Sequence, residues 1–443
     1  MHRMIKPFIE HSTANEDILL YEGDMTFYTG FGMFPELKCT GKAVYEWLPF
    51  PRVMYYFQKY DVHGLIISEE QKIFHKPLAA RTVIHTLHET ALHSVEAYID
   101  SYETGDRYKQ FDFLQYRLAN LFGFGFAKNE KRDITEEQDY FITFTINDYE
   151  LSLQHFMHEA KTQSIIRGGF MLTGAVEIRK TGKKISLSEA DELMEIFRKY
   201  LSFFNGHMIT PAIVSGVVEN QVTYQSFRSI HDAESFSPTM SWLPRYAHKK
   251  QLDASWKKFY AFYQTKNEKD CLELVIHWYL VSLYTKSGVE ASLVLIQNAL
   301  ELLCSWILVE REFILDKNDN DISAASKINI LLTWAGILNK IPDALKHLTG
   351  FANSNNILSG PEAITHIRNK MVHPDLKNRK RYREFTFPVK YEALQMALNY
   401  CELVLLRLLE YNDGYRSRIN RNAISDKIGA DPFVPWNKEE KVD

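Results

Sequence analysis

Cysteine is scarce in this chain: four in 443 residues, Cys39, Cys271, Cys304 and Cys401, with no paired spacing. That pattern excludes a disulfide framework or a zinc knuckle and fits a reducing cytoplasm. Three of the four stand in apolar helical contexts, the usual setting of buried, inert thiols. Long apolar runs are missing too. A membrane span needs about 18 such residues or more, and the longest stretch, 293–309, is broken by Gln297, Asn298 and Glu301. The opening MHRMIKPFIEHSTANED has no apolar signal core. Neither export nor membrane insertion is therefore expected, and the location expected is cytoplasmic. With only 20 glycines and 14 prolines the chain is neither collagen-like nor low-complexity. Its 45% hydrophobic and 13% aromatic content exceeds what a disordered chain carries. A strong charge of one sign is also lacking, at −4 overall.

What is present divides near residues 240–250. Residues 241–443 hold 28 Lys+Arg against 24 Asp+Glu, a balance of +4, while 1–240 hold 24 against 32, a balance of −8. An anionic partner would therefore meet the second half. The first half is rich in short β-branched and aromatic segments, such as 18–21, 53–57, 65–68, 140–146 and 170–178, separated by turn residues including Thr104-Gly105-Asp106 and Lys180-Thr181-Gly182. In 140–146, Ile142, Phe144 and Ile146 share one face. Strands this short and this closely spaced predict an antiparallel sandwich or barrel-like domain over 1–245. One helix interrupts it, opening at Ser186-Leu187-Ser188-Glu189 and stopping at Asn205-Gly206. The second half has helical periodicity at roughly 251–265, 268–286, 289–312, 322–337, 361–373 and 388–411. The fold class expected is α+β in two domains: the β-rich one, then an all-α bundle over 246–412, with 413–443 a polar, loosely ordered tail.

The segment Ile364-Thr365-His366-Ile367-Arg368-Asn369-Lys370-Met371-Val372-His373-Pro374 carries the most chemistry. Ile364, Ile367 and Met371 make one buried helical face. Pro374 disfavours helical geometry at His373, so the helix ends there and its dipole favours a protonated imidazole. A guanidinium and a titrating imidazole together can serve a metal-free phosphodiester site. Arg holds the non-bridging oxygens and the developing charge, and His moves the proton.

Arg368-Asn369-x-x-x-His373-Pro374 on the penultimate helix resembles the signature of HEPN domains (higher eukaryotes and prokaryotes nucleotide-binding). The earlier helix carrying 297–303 is similar to those domains as well. A long β-rich region before such a bundle resembles the architecture of ApeA-type antiphage proteins. The resemblance covers about 250–412 by motif and the first half by layout only. It implies a metal-independent endoribonuclease, usually a homodimer with two motifs facing one cleft, in which the RNA 2′-OH attacks and a 2′,3′-cyclic phosphate is left. Arg368 would contact the scissile phosphate, His373 would be the acid/base, and Asn369 would orient them. The biology implied is abortive infection, with RNA as substrate (tRNA among the candidates) and a phage-derived or cellular trigger acting on the β-rich domain.

Other features bear on this expectation. Gln297, Glu301 and Ser305 form an i, i+4, i+8 polar stripe, which either faces a cleft where Glu301 orients Arg368 or faces solvent. Lys377, Arg379, Lys380, Arg381 and Arg383, with Tyr382 among them, form the densest basic cluster. It either tracks an RNA backbone or is a solvated loop. The groupings His85-x-x-His88-Glu89 with His93, and His155-x-x-His158-Glu159, lack metal-site spacing. No metal or cofactor is expected. Arg368 and His373 could instead merely cap their helix. The alternative function is a non-catalytic HEPN scaffold that dimerises or binds nucleotide, with a β domain that binds a ligand or partner.

Overall fold

The computed structural model describes residues 5–10, 13–28, 36–58, 71–76, 80–89, 94–121, 125–127, 141–156, 164–165, 168–231, 233–237, 241–244, 246–283, 288–317, 319, 321–372, 385–419 and 432–437. The expected strand at 65–68 lies outside them. The chain is mixed α and β, with antiparallel sheet in its first half and helices in its second. Contacts divide it into two compact units. One comprises 1–123, 140–198 and 208–238; the other comprises 124–139, 199–207 and 239–443.

The first unit opens with strands β1 (Ile18–Tyr28), β2 (Glu36–Glu46), β3 (Arg52–Gln58), β4 (Gln71–Lys76), β5 (Ala80–Glu89) and β6 (Ser94–Ile99). They close into a barrel in the order β1-β2-β3-β6-β5-β4. Next along the chain come β7 (Ser101–Gly105), β8 (Phe113–Ala119), β9 (Gly125–Ala127, part of the second unit), β10 (Phe141–Ile146), β11 (Tyr149–His155) and β12 (Leu172–Lys180), then β13 (Thr210–Val218) and β14 (Gln221–Arg228). All but β9 form a seven-stranded antiparallel sheet, β10-β11-β12-β8-β13-β14-β7, with β8 at its centre. Local chemistry sets the hairpins. Glu219 and Asn220 both take positive φ, as a two-residue turn matched to strand twist requires. Tyr45, Trp47, Phe170, Leu172 and Phe227 form a core in which Tyr45 meets Trp47 edge-on at 5.0 Å.

Helix α1 (Leu187–Asn205) starts on a capping box. The Ser186 hydroxyl accepts from the Glu189 N–H at 3.3 Å, and the Glu189 carboxylate accepts from the Ser186 N–H at 3.0 Å. Phe197 on this helix meets Phe144 of β10 at 5.1 Å.

The second unit holds the short parallel pair β9 and β15 (Tyr246–His248) and the helices α2 (Lys249–Phe262), α3 (Lys266–Leu283), α4 (Val289–Leu303), α5 (Ala324–Ala335), α6 (Lys346–Ser354), α7 (Gly360–Val372) and α8 (Phe387–Leu408). Helix α4 continues through a π-helical stretch, Cys304–Arg311. By length and composition alone, Val289–Arg311 is apolar enough to cross a membrane. Its α4 part packs on α3, α5, α7 and α8, and 61% of its most apolar window is buried.

Helix α6 departs from the sequence expectation, which placed no helix between 337 and 361. Its only fully buried side chains are Leu348 and Ala352. Tertiary contacts form it: it packs on α8, whose Glu392 carboxylate accepts from the Leu348 N–H at 2.8 Å. The described part of 413–443 differs from a loose tail. Asp413 accepts from the His248 N–H at 3.0 Å, Gly414 bridges to Phe433, and Val434 is buried. The Arg418 guanidinium, 4% exposed, is paired to the fully buried Glu402 of α8.

Candidate functional site

Helix α7 carries the motif. The Ser359 hydroxyl accepts from the Glu362 N–H at 3.3 Å, and the Glu362 carboxylate reaches back to the Leu358 N–H at 2.9 Å. Pro361 sits in the first turn, where its missing N–H goes unneeded. Gly360 permits close approach to α8: a Cβ there would lie 2.3 Å from Tyr400 Oη and 2.9 Å from Met396 Sδ. Ala363, Ile364 and Ile367 are buried, whereas Met371, expected on that face, is half-buried because the last turn emerges from the core.

Arg368 is half-buried on this emerging turn. Its Nη1 donates to Asn369 Oδ1 at 3.3 Å, and its Nη2 donates to Asn298 Oδ1 of α4 at 3.3 Å. Its Nε is buried without an acceptor among the described residues. A guanidinium has five N–H donors. Here two are spent on long bonds to neutral amides, and no carboxylate among the described residues pairs with it. The positive charge is therefore positioned but not neutralised, the condition for receiving a phosphate oxygen. Thr365, one helical turn earlier, also has a buried hydroxyl without a partner among the described residues.

The stripe on α4 is not one environment. Gln297 is fully buried, Glu301 half-buried and Ser305 exposed. Glu301 does not hold Arg368. Its Oε1 accepts from Gln297 Nε2 at 2.8 Å, and the residue that reaches Arg368 is Asn298. The sequence did contain a signal for Asn298, as one of three polar breaks in the apolar run. The helix crossing that turns it toward α7 is not written in the spacing. His373 follows the last helical residue, Val372, and lies outside the described residues, as do Lys377, Arg379, Lys380, Arg381 and Arg383. Arg368, Asn369 and Asn298 are thus the described part of the candidate site.

Elsewhere in this unit a cavity of about 500 Å³ is lined by Arg311, Trp334, Arg407 and Trp436, with Arg407 over the Trp436 ring at 5.5 Å. Glu312 and Glu410 share its rim, so its charge is balanced. Among the described residues no group of three His, Cys, Asp or Glu could hold a metal ion. Of the two histidine groupings, only the His155 side chain is among the described residues.

Comparison with known proteins gives matches to parts of the chain. The model of the YopA central domain matches residues 109–238, and that of the YopA C-terminal domain matches 265–428. An uncharacterized protein YopA derived from the SPbeta prophage of Bacillus subtilis strain 168 is 26% identical over 282 residues. That match covers 62% of this chain and 60% of the relative, so the chain spans less than two thirds of the relative's length. No solved structure matches. The chain is therefore similar to YopA over most of its sheet and of its helical unit.

Proposed function

We propose that the helical unit is a HEPN-type bundle and that the protein is a metal-independent endoribonuclease working as a homodimer. The observation that carries this is the uncompensated Arg368 guanidinium, fixed by two amides on the turn that leads into His373. In the reaction the RNA 2′-oxygen attacks the neighbouring phosphorus while an imidazole takes its proton. The P–O5′ bond breaks, and a second imidazole, that of the other copy, protonates the leaving oxygen. The products are a 2′,3′-cyclic phosphate and a 5′-hydroxyl, and no metal or oxidant enters the balance. Arg368 stabilises the charge on the non-bridging oxygens, His373 moves protons, and Asn369 orients Arg368. The basic stretch 377–383 supplies the salt-dependent part of RNA affinity.

Control of such an activity falls to the β-rich half, with a phage-derived or cellular trigger shifting an inhibited state to an active one. A relative carried by a prophage is compatible with a role in phage–host conflict, where cleaving cellular RNA aborts infection. The test is RNA cleavage in EDTA by the wild type, Arg368→Ala and His373→Ala. Losses of roughly 10²–10⁴-fold in each variant support the assignment. Equal activity in all three places the activity elsewhere.

A second reading has its own observation. Arg368 is half-buried and bonded within the protein, as a structural residue would be. In that case the bundle is a non-catalytic dimerisation or nucleotide-binding scaffold, no variant changes RNA, and Arg368→Ala alters only stability or self-association.

A further inference from the structure

The seven-stranded sheet has two unlike faces. On one, Leu114, Tyr116 and Leu118 of β8 align with Val176 and Ile178 of β12 and Leu151 and Leu153 of β11, all buried and apolar apart from the Tyr116 hydroxyl. The pairing register places Gln115 and Arg117 on the other, beside Gln154 of β11 and Ser215 of β13. These four are 0%, 3%, 3% and 1% exposed. A row of buried polar groups on a central strand is costly unless each group is bonded.

Three of the four leave no buried side-chain polar atom without a partner. Gln154 Oε1 accepts from the Ile5 N–H at 2.7 Å, while Gln115 Oε1 accepts from the Phe8 N–H at 3.2 Å and its Nε2 donates to the Lys6 carbonyl at 3.0 Å. Ser215 accepts from Gln225 at 3.4 Å. Residues 5–8 thus lie over this face as an irregular strip that bends at Phe8, gripped through main-chain groups by two side-chain amides.

Arg117 is the exception. Its Nη2 reaches the Leu172 carbonyl at 3.4 Å, and its Nε and Nη1 are buried with no acceptor among the described residues. The Phe156 ring lies 4.9 Å from Cζ and covers one face of the guanidinium. Glu177, on the same sheet face, is already engaged by Gln115 at 3.3 Å and Arg179 at 2.9 Å. Burial lowers the Arg117 pKa to about 10, with only the charge of Glu10 opposing that shift. The group therefore stays charged at neutral pH, and Glu10 forms no ion pair with it.

We infer that Arg117 is the anchor of an oxyanion site on the covered face of the sheet, taking a small carboxylate or phosphate beneath the 5–10 strip. The ring of Phe156 holds the guanidinium plane, which leaves its edges for the anion. Because Gln115 and Gln154 hold the strip and flank Arg117, anion binding and the docking of residues 5–10 are coupled. The site lies in the β-rich unit and does not depend on the ribonuclease reading.

The experiment uses the full chain. Thermal unfolding and calorimetry are run with sodium phosphate, acetate and sulfate, each against sodium chloride at matched ionic strength. A saturable response to phosphate but not acetate identifies a phosphate-class ligand, and the reverse identifies a carboxylate. Arg117→Met, of similar length and apolar, is expected to be at least as stable as wild type in chloride and to bind the responding anion at least tenfold more weakly. Three results overturn the site. The first is an equal anion response in Arg117→Met. The second is no saturable response beyond chloride in the wild type. The third is Arg117→Met and Glu10→Gln destabilising equally in chloride, which makes Glu10 the partner.

Discussion

Replacing Arg418 by Met removes half of a buried charge pair and leaves the other half in place. Glu402 is 0% exposed and Arg418 is 4% exposed. The guanidinium donates to Glu402 Oε1 at 2.8 Å, and the buried Tyr279 hydroxyl donates to the same oxygen. The second carboxylate oxygen has no partner among the described residues. Breaking such a pair from one side costs about 3–5 kcal/mol, because the remaining charge is stranded away from water. For a unit of this size that is a fall in Tm of roughly 6–20 °C. Burial pushes the Glu402 carboxyl above its ordinary value, and Arg418 is the main group pulling it back. With Met at 418 that push is opposed only by the Tyr279 bond. A carboxyl whose folded pKa exceeds its unfolded one loses stability as pH rises between the two, and costs least below the unfolded value of about 4.3. The cost of Arg418→Met is therefore larger at pH 8 than at pH 5. Adding Glu402→Gln to Arg418→Met returns much of the loss at pH 8. Urea unfolding of the four proteins of this cycle at both pH values is the assay. A loss below about 1 kcal/mol that does not change with pH, or single costs that simply add, refutes the account.

Gly360→Ala forces α7 off the Tyr400 hydroxyl and the Met396 sulfur. A stability loss of about 1–3 kcal/mol is expected, partly restored by Tyr400→Phe; no rescue means that the clash is elsewhere. Ser186→Ala removes the cap of α1 and should cost about 1 kcal/mol in urea unfolding. Lys180 first, and then Ser186, hold the Glu189 carboxyl down to about 2. A folded pKa below the unfolded one gives stability that is present above about pH 4.3 and is lost as pH falls through about 2, so the deficit of Glu189→Gln should shrink across that interval. Under the nuclease assignment, Asn298→Ala should lower kcat about five- to tenfold with KM little changed, because Asn298 positions Arg368 and meets no substrate. Asn298→Asp should lower it further by neutralising the guanidinium, and full activity in that variant would remove the positioning role.

These features were legible in the sequence to very different degrees. Ser186-x-x-Glu189 and the Ile364, Ile367 spacing are local, and short-range hydrogen bonding or one apolar stripe decides them. Helix α6 was not legible. Its run Thr349-Gly350-Phe351-Ala352-Asn353-Ser354 has poor helix formers, and what holds it is α8 and a carboxylate 44 residues away. Arg368 stood out in the sequence as a candidate site residue, but its structural partner did not. Spacing on α4 groups 297, 301 and 305, whereas a neighbour on another helix is chosen by the crossing of α4 and α7, which brings up Asn298 instead.

Arg117 and Arg418 show why polar residues are the harder half of the reading. Alternation along β8 separates Gln115 and Arg117 from Leu114, Tyr116 and Leu118, and a polar face on an antiparallel sheet is ordinarily the one that meets water. Whether it does depends on what covers it, and here that is a strip more than 100 residues away in sequence. Arg418, likewise, stands in a segment whose composition is that of a solvated tail, yet it is nearly as buried as the apolar core. The two differ in the way that matters for function. Arg418 has its carboxylate and its Tyr279 neighbour, so its burial is explained by holding residues 413–419 to α8. Arg117 has an aromatic ring, one long carbonyl bond and the charge of Glu10, and among the described residues no carboxylate forms an ion pair with it. A buried charge with no ion pair among the described residues is one that a counter-ion from outside the chain would stabilise, and that marks Arg117, not Arg418, as the place to look for a ligand.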